Sequence, residues 1–178
     1  MDSSAGYRIS FLKKQRNPEK IINVINSFFD KQDYLEDWQK DNFKITSSNG
    51  KDFDPGDWDL PISIQDYEGL LLDLCKEVAA SFPKVSFIGK SVITDSGSGW
   101  SSFDSVKYEG HEFRYFGIST EEGEDVQCPE CGEVLVSLRD VIPGDSIKCD
   151  NCGYECLPAE LEDLIEDALV VTKTINVE

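Results

Sequence analysis

The sequence predicts an α+β protein, an antiparallel sheet with helices on one face, followed by a small cysteine-bearing β-hairpin subdomain. Three observations carry this. Residues 85–94, 102–109 and 111–118 are strand-like and joined by short Gly-containing turns, the succession of an antiparallel meander. Two upstream segments place apolar residues at helical spacing. Far downstream, Val170-Val171-Thr172-Lys173-Thr174-Ile175 has strong β preference and is expected to return to a sheet edge. The expected organisation is an α+β domain over 1–124, the cysteine unit over 125–157, and a helix and strand over 158–178 that rejoin the first domain.

Near the N-terminus, Tyr7-Arg8-Ile9-Ser10-Phe11-Leu12 alternates as a first strand does. Asn17-Pro18-Glu19 predicts a helix start, with a capping side chain, proline at the first position and an acid in the first turn. Ile21, Ile22, Val24, Ile25, Phe28 and Phe29 then give that helix a broad apolar face. Lys13, Lys14, Arg16 and Lys20 form a basic cluster whose simplest reading is a solvated turn. Asn42-Phe43-Lys44-Ile45-Thr46 has strand character and ends at Ser47-Ser48-Asn49-Gly50.

Asp52, Asp54, Asp57 and Asp59 crowd around Pro55-Gly56. Clustered carboxylates suit Ca²⁺, but the EF-hand order of ligands is absent. A solvated acidic loop is expected, anchored by Trp58 and Leu60. The next helix is predicted to open at Ser63, with Asp66 completing a capping box and Ile62 packing on Tyr67 as a staple. Its stripe is Tyr67, Leu71, Leu74, Cys75, Val78 and Phe82, so Cys75 reads as a small buried apolar residue.

In the third strand of the meander, Glu112, Arg114 and Phe116 oppose His111, Phe113 and Tyr115. The loop Ser96-Gly97-Ser98-Gly99 lacks the following helix and the Lys ending of a phosphate cradle, so it reads as a hairpin loop. Residues 119–125 are acidic, carry Gly123, and read as a linker or boundary leading into the cysteine unit. After the cysteine unit, Pro158 opens a third predicted helix. Leu157, Leu161, Leu164, Ile165, Ala168 and Leu169 fall on one face, and Glu160, Glu162, Asp163, Glu166 and Asp167 largely on the other.

The sharpest signal lies in Cys128-Pro129-Glu130-Cys131-Gly132 and Cys149-Asp150-Asn151-Cys152-Gly153. Each tight turn offers two thiolates, and the glycine after each second cysteine supplies a permissive backbone. Seventeen residues lie between Cys131 and Cys149, a spacing that fits a tetrahedral four-cysteine metal site. Cys128, Cys131, Cys149 and Cys152 are therefore the candidate metal ligands. Val134-Leu135-Val136 and Ile147-Lys148 read as strands, with Pro143-Gly144-Asp145 turning the chain between them.

This stretch resembles a zinc ribbon, a family of small metal-stapled β-hairpins. The resemblance implies one structural Zn²⁺ per chain, coordinatively closed and contributing to folding. Cys156 offers a replacement for Cys149, but the matching knuckles favour packing beneath the ribbon. An all-cysteine set also suits iron, which keeps a redox carrier as an alternative.

The 178 residues carry 17 Lys and Arg against 35 Asp and Glu, a formal charge of −18. Such a field disfavours nucleic acid and anionic membranes and favours a basic protein partner. Over 121–157 ten acids face two bases, a sum of −8, so direct nucleic-acid binding by the ribbon is disfavoured. No apolar run approaches the roughly 20 residues of a membrane span, and MDSSAGYRIS lacks the features of a signal peptide. Thiolate ligation suits a reducing compartment, and a cytoplasmic location is expected.

Catalysis would rest on the sole histidine, His111, since no carboxylate pair is readable. The expectation is a non-enzymatic, zinc-stabilised acidic interaction protein, for example an inhibitor or immunity-type protein covering a basic toxin or nuclease. The alternatives are a Cys₄ iron carrier or metalloenzyme, and a regulator that touches nucleic acid near Lys13 and Lys14.

Overall fold

β1 (Ser3–Phe11) buries Ala5, Tyr7, Ile9 and Phe11, and the sheet is built outward from it. The computed structural model describes residues 3–57, 60–61, 69–95 and 97–177. The long strands are β4 (Phe87–Asp95), β5 (Trp100–Glu109), β6 (Glu112–Thr120) and β11 (Leu169–Asn176). Short β2 (Asp52–Phe53) and β3 (Leu60–Pro61) both pair with β1. The order is β11-β6-β5-β4-β1-β2, with every neighbour antiparallel. The architecture is α+β, as the sequence predicts, and β11 does return to the sheet, against β6.

One face carries Tyr7, Ile9, Phe11, Phe87, Val106, Tyr108 and Phe113. It packs against α1 (Pro18–Asp30), α2 (Asp37–Phe43) and α3 (Leu70–Ser81). Close aromatic contacts such as Tyr7 with Phe29, at 5.3 Å between ring centroids, fill this layer. The other face carries Val92, Phe103, Phe116 and Ile118, and there the cysteine unit closes the second core with Leu135, Leu138, Val141 and Leu161. The sheet is thus sandwiched, and its central strands are buried on both sides.

Several expectations change. Residues 42–46 do not form a strand, because α2 takes Asn42 and Phe43. At its start the Glu36 N–H donates to Gln39 Oε1 at 2.9 Å. Beyond it, the Asn26 side chain satisfies Ile45 on both sides, accepting its N–H at 2.8 Å and donating to its carbonyl at 2.9 Å. One amide side chain does what a neighbouring strand would do. At α1, Asn17 precedes the helix but its side chain makes no capping bond.

The third predicted helix is replaced by a 3-10 segment, Pro158–Asp163. Five acids between 160 and 167 have no basic residue among them, and Asp167 sits at φ 57°, which ends any helical path. Leu169 joins β11 and is exposed. His111 lies in the β5–β6 turn, not on the strand. It and Gly110 both have positive φ, 63° and 58°, as a two-residue type I′ hairpin requires.

The acidic loop is ordered by the sheet edge. Asp52 accepts the Ser10 hydroxyl at 2.8 Å and Asp54 pairs with Arg8 at 2.9 Å. In the Gly-rich loop, the Gly97 N–H and Ser98 hydroxyl both donate to the Asp95 carboxylate, so the loop closes on itself. The cap at Ser63, its partner Asp66, the Ile62–Tyr67 staple, and Trp58, Asp59 and Ser96 lie outside the described residues. Leu60 packs against the helical core.

Candidate metal centre

Residues 119–125 are not a plain linker. β6 runs on to Thr120, Gly123 turns the chain at φ 91°, and β7 (Asp125–Gln127) begins directly. β7 pairs with β8 (Val134–Ser137), while β9 (Ile147–Lys148) pairs with β10 (Glu155–Cys156). Val134–Ser137 and Ile147–Lys148 are therefore not partners in one hairpin. Each knuckle closes its own hairpin. Strands of two to four residues carry too few side chains to specify a partner, so the turn between them decides the pairing.

The two knuckles have the same bonds. In the first, the Cys128 N–H donates to the Glu133 carbonyl at 2.7 Å and the Gly132 N–H to the Cys128 carbonyl at 2.9 Å. In the second, the Cys149 N–H donates to the Tyr154 carbonyl at 2.7 Å and the Gly153 N–H to the Cys149 carbonyl at 2.9 Å. Gly132 and Gly153 stand at φ 79° and 82°, the left-handed region that closes each turn.

These turns aim four sulfurs at one point. Cys128, Cys131, Cys149 and Cys152 place their Sγ atoms all within 4.8 Å of one another. Cys128 Sγ lies 3.5 Å from Cys152 Sγ, and Cys131 Sγ 3.6 Å from Cys149 Sγ. A tetrahedral ion with metal–sulfur bonds of about 2.3 Å needs sulfurs about 3.8 Å apart, so this cluster can hold a metal ion. Cys128 and Cys149 are buried, Cys131 is half-buried and Cys152 exposed. Each knuckle gives one inner and one outer sulfur.

Electrostatics favour a cation at the centre. Hydrogen bonds from the Asn151 side chain and the Glu133 backbone, opposed by desolvation, bring the Cys131 thiol down to about 7. At Cys152 the Tyr154 backbone hydrogen bond also lowers the pKa. Desolvation and the neighbouring thiols outweigh it and push Cys152 up to about 12. Four sulfurs this close do not all lose their protons without positive charge among them. Asn151 and the Tyr154 backbone were not singled out by the motif, although their places inside and just after the second knuckle mark them as neighbours of the sulfurs.

Cys156 stands apart from the four. It is buried in β10 opposite Ile147, and burial pushes its thiol up. Cys75 is fully buried on α3 and desolvation raises its pKa strongly, which leaves it as packing. The unit is fastened to the sheet by the Ser105 hydroxyl, which donates to the Val141 carbonyl at 2.9 Å in a buried bond. Lys13, Lys14, Arg16 and Lys20 are exposed around the turn into α1, and His111 is exposed at its hairpin tip; none of them belongs to the sulfur cluster. Among the described residues no helix is long and apolar enough to cross a membrane.

No family model, curated protein or solved structure matches the chain.

Proposed function

We propose that the chain is a non-enzymatic, zinc-stabilised interaction protein whose acidic unit engages a basic protein, in the manner of an inhibitor or immunity-type protein. The observation that carries this reading is where the charge sits. Residues 121–167 hold fifteen acids against Arg139 and Lys148, a formal −13 of the total −18. All of those acids but Glu124 are exposed. They are displayed on the layer that the four sulfurs knit together and that packs across one face of the sheet.

Zn²⁺ is the ion this set suits. Four thiolates complete its tetrahedron and leave no position for a substrate, so its contribution is to folding. The exposed acids then supply a field that steers a basic partner and raises its association rate.

The test is affinity capture with the full chain at about 50 mM and about 500 mM salt, a range over which exposed-charge attraction is screened. A captured basic protein that is lost at the higher salt, and lost from a Glu160→Lys, Glu162→Lys, Glu166→Lys variant, is the expected result. Capture indifferent to salt and to charge reversal, or retention of nucleic acid at low salt, overturns it. The as-purified protein should be colourless, since a ferric thiolate centre is red and would replace the structural-zinc reading with a redox one.

A further inference from the structure

The cleft between the sheet and the cysteine unit gathers cations that the acidic surface around it lacks. It is a cavity of about 330 Å³, at the lower end of the size range of small-ligand sites. Three cationic side chains line it from three elements: Arg8 of β1, Lys90 of β4, and Arg139 of the 3-10 turn Leu138–Asp140. Arg8 and Lys90 are direct cross-strand partners in the β1–β4 register. Like charges placed opposite one another weaken a ladder, and in a chain with twice as many acids as bases the pairing stands out.

The three cations are supported differently. Arg8 Nε donates to Asp54 at 2.9 Å, and Arg139 Nε to Glu124 at 2.8 Å, so both guanidinium groups are held in place by carboxylates outside the cavity. Lys90 is half-buried and makes no hydrogen bond or ion pair among the described residues. Burial lowers its pKa, Asp140 partly offsets this, and Arg8 adds to the fall. One carboxylate, that of Asp140, lines the cavity from the unit's side. Asp104 borders it through its backbone, since its carboxylate accepts the Tyr115 hydroxyl on the helical face of the sheet. Val92, Phe103 and Leu138 supply an apolar floor. A partly desolvated ammonium beside a second cation gains most when an anion enters.

We propose that this cleft binds a small molecule with one phosphate or carboxylate group on a compact apolar body, Lys90 anchoring the anion and Arg8 and Arg139 flanking it. The site is independent of the acidic-surface reading, because it lies on the inner side of the cysteine unit and selects the opposite sign of charge.

Titration of the isotope-labelled full chain with phenyl phosphate and, separately, with benzoate at constant ionic strength tests this and distinguishes the two head groups. Saturable backbone-amide shifts at Arg8, Lys90 and Arg139 with at least one probe are expected. Lys90→Met should weaken them by about ten-fold or more, the loss expected for a charge-assisted hydrogen bond. Lys148→Met, an exposed lysine outside the cleft, should leave them unchanged. Lys90→Met removes a partly desolvated charge and should fold with an undiminished Tm, so a loss of binding is not a loss of structure. Shifts that never saturate, that chloride reproduces, or that survive Lys90→Met overturn the proposal.

Discussion

The Cys128 carbonyl accepts the Gly132 N–H at 2.9 Å, and the Cys149 carbonyl accepts the Gly153 N–H at the same distance, so the two cysteines hold equivalent places in two turns of one construction. Both are buried, and each stands beside a sulfur of the opposite turn. Loss of either inner sulfur should therefore abolish metal retention. Cys128→Ser and Cys149→Ser are expected to purify without metal, against about one zinc per chain in the parent. Cys156→Ser should lower Tm, because a buried thiol becomes a hydroxyl, yet keep its metal. Elemental analysis of the three variants decides it, and metal loss from Cys156→Ser alone would redraw the ligand set.

The knuckle glycines give a second, graded test. An added Cβ at Gly132 or Gly153 meets nothing within 4 Å, so any penalty comes from φ 79° and 82° and not from crowding. A left-handed conformation costs an L-residue about 1–2 kcal/mol. Gly132→Ala and Gly153→Ala should each weaken metal binding by about 5–30-fold in a chelator competition. The double variant should lose about the product of the two.

What could be read from the chain and what could not divides along physical lines. The antiparallel meander and α1 follow from periodicity, because each repeats one pattern over eight or more residues, and the returning strand follows from the β preference of Val170 to Ile175. The four sulfurs follow from spacing within two turns, where sequence distance and spatial distance nearly coincide. That residues 44–46 are not a strand is hidden in the sequence, because a single side chain, Asn26, satisfies the Ile45 backbone from 19 residues away. The helix expected after Pro158 failed on charge: its spacing was apolar enough, but Glu160, Glu162, Asp163, Glu166 and Asp167 have no cation to relieve them. Packing of the cysteine unit across the second face of the sheet shows only in the structure. Ser91-Val92-Ile93 and Phe116-Gly117-Ile118 are buried without a break, the mark of strands covered on both sides.

The bond from Ser105 to Val141 is a buried polar link between the unit and that second face. Ser105→Ala leaves the Val141 carbonyl buried without a donor, a loss of about 1–3 kcal/mol. The effect should be local. Amide hydrogen exchange should quicken over 138–147 while α1 keeps its protection, and metal content should not change. Uniform loss of protection would mean that the two cores melt as one.

Gly89 of β4 lies directly against Cys75 of α3 in the helical core. A Cβ at Gly89 would stand 2.6 Å from Cys75 Sγ, 3.1 Å from Ile9 Cδ1 and 3.2 Å from Leu71 Cδ1. The glycine is there so that α3 can settle on the sheet, and Cys75 fills the space a methyl group would take. Gly89→Ala should therefore destabilise by about 1–3 kcal/mol through overpacking. Cys75→Ala alone should be mildly destabilising, since it removes one well-packed sulfur. Combined with Gly89→Ala it should recover part of the loss, because the Sγ that blocks the new methyl is gone while Ile9 and Leu71 still crowd it. A double-mutant cycle on denaturant midpoints reads the coupling directly. Strict additivity would mean that the helix shifts to admit the methyl, and that Cys75 is not what holds α3 at this distance.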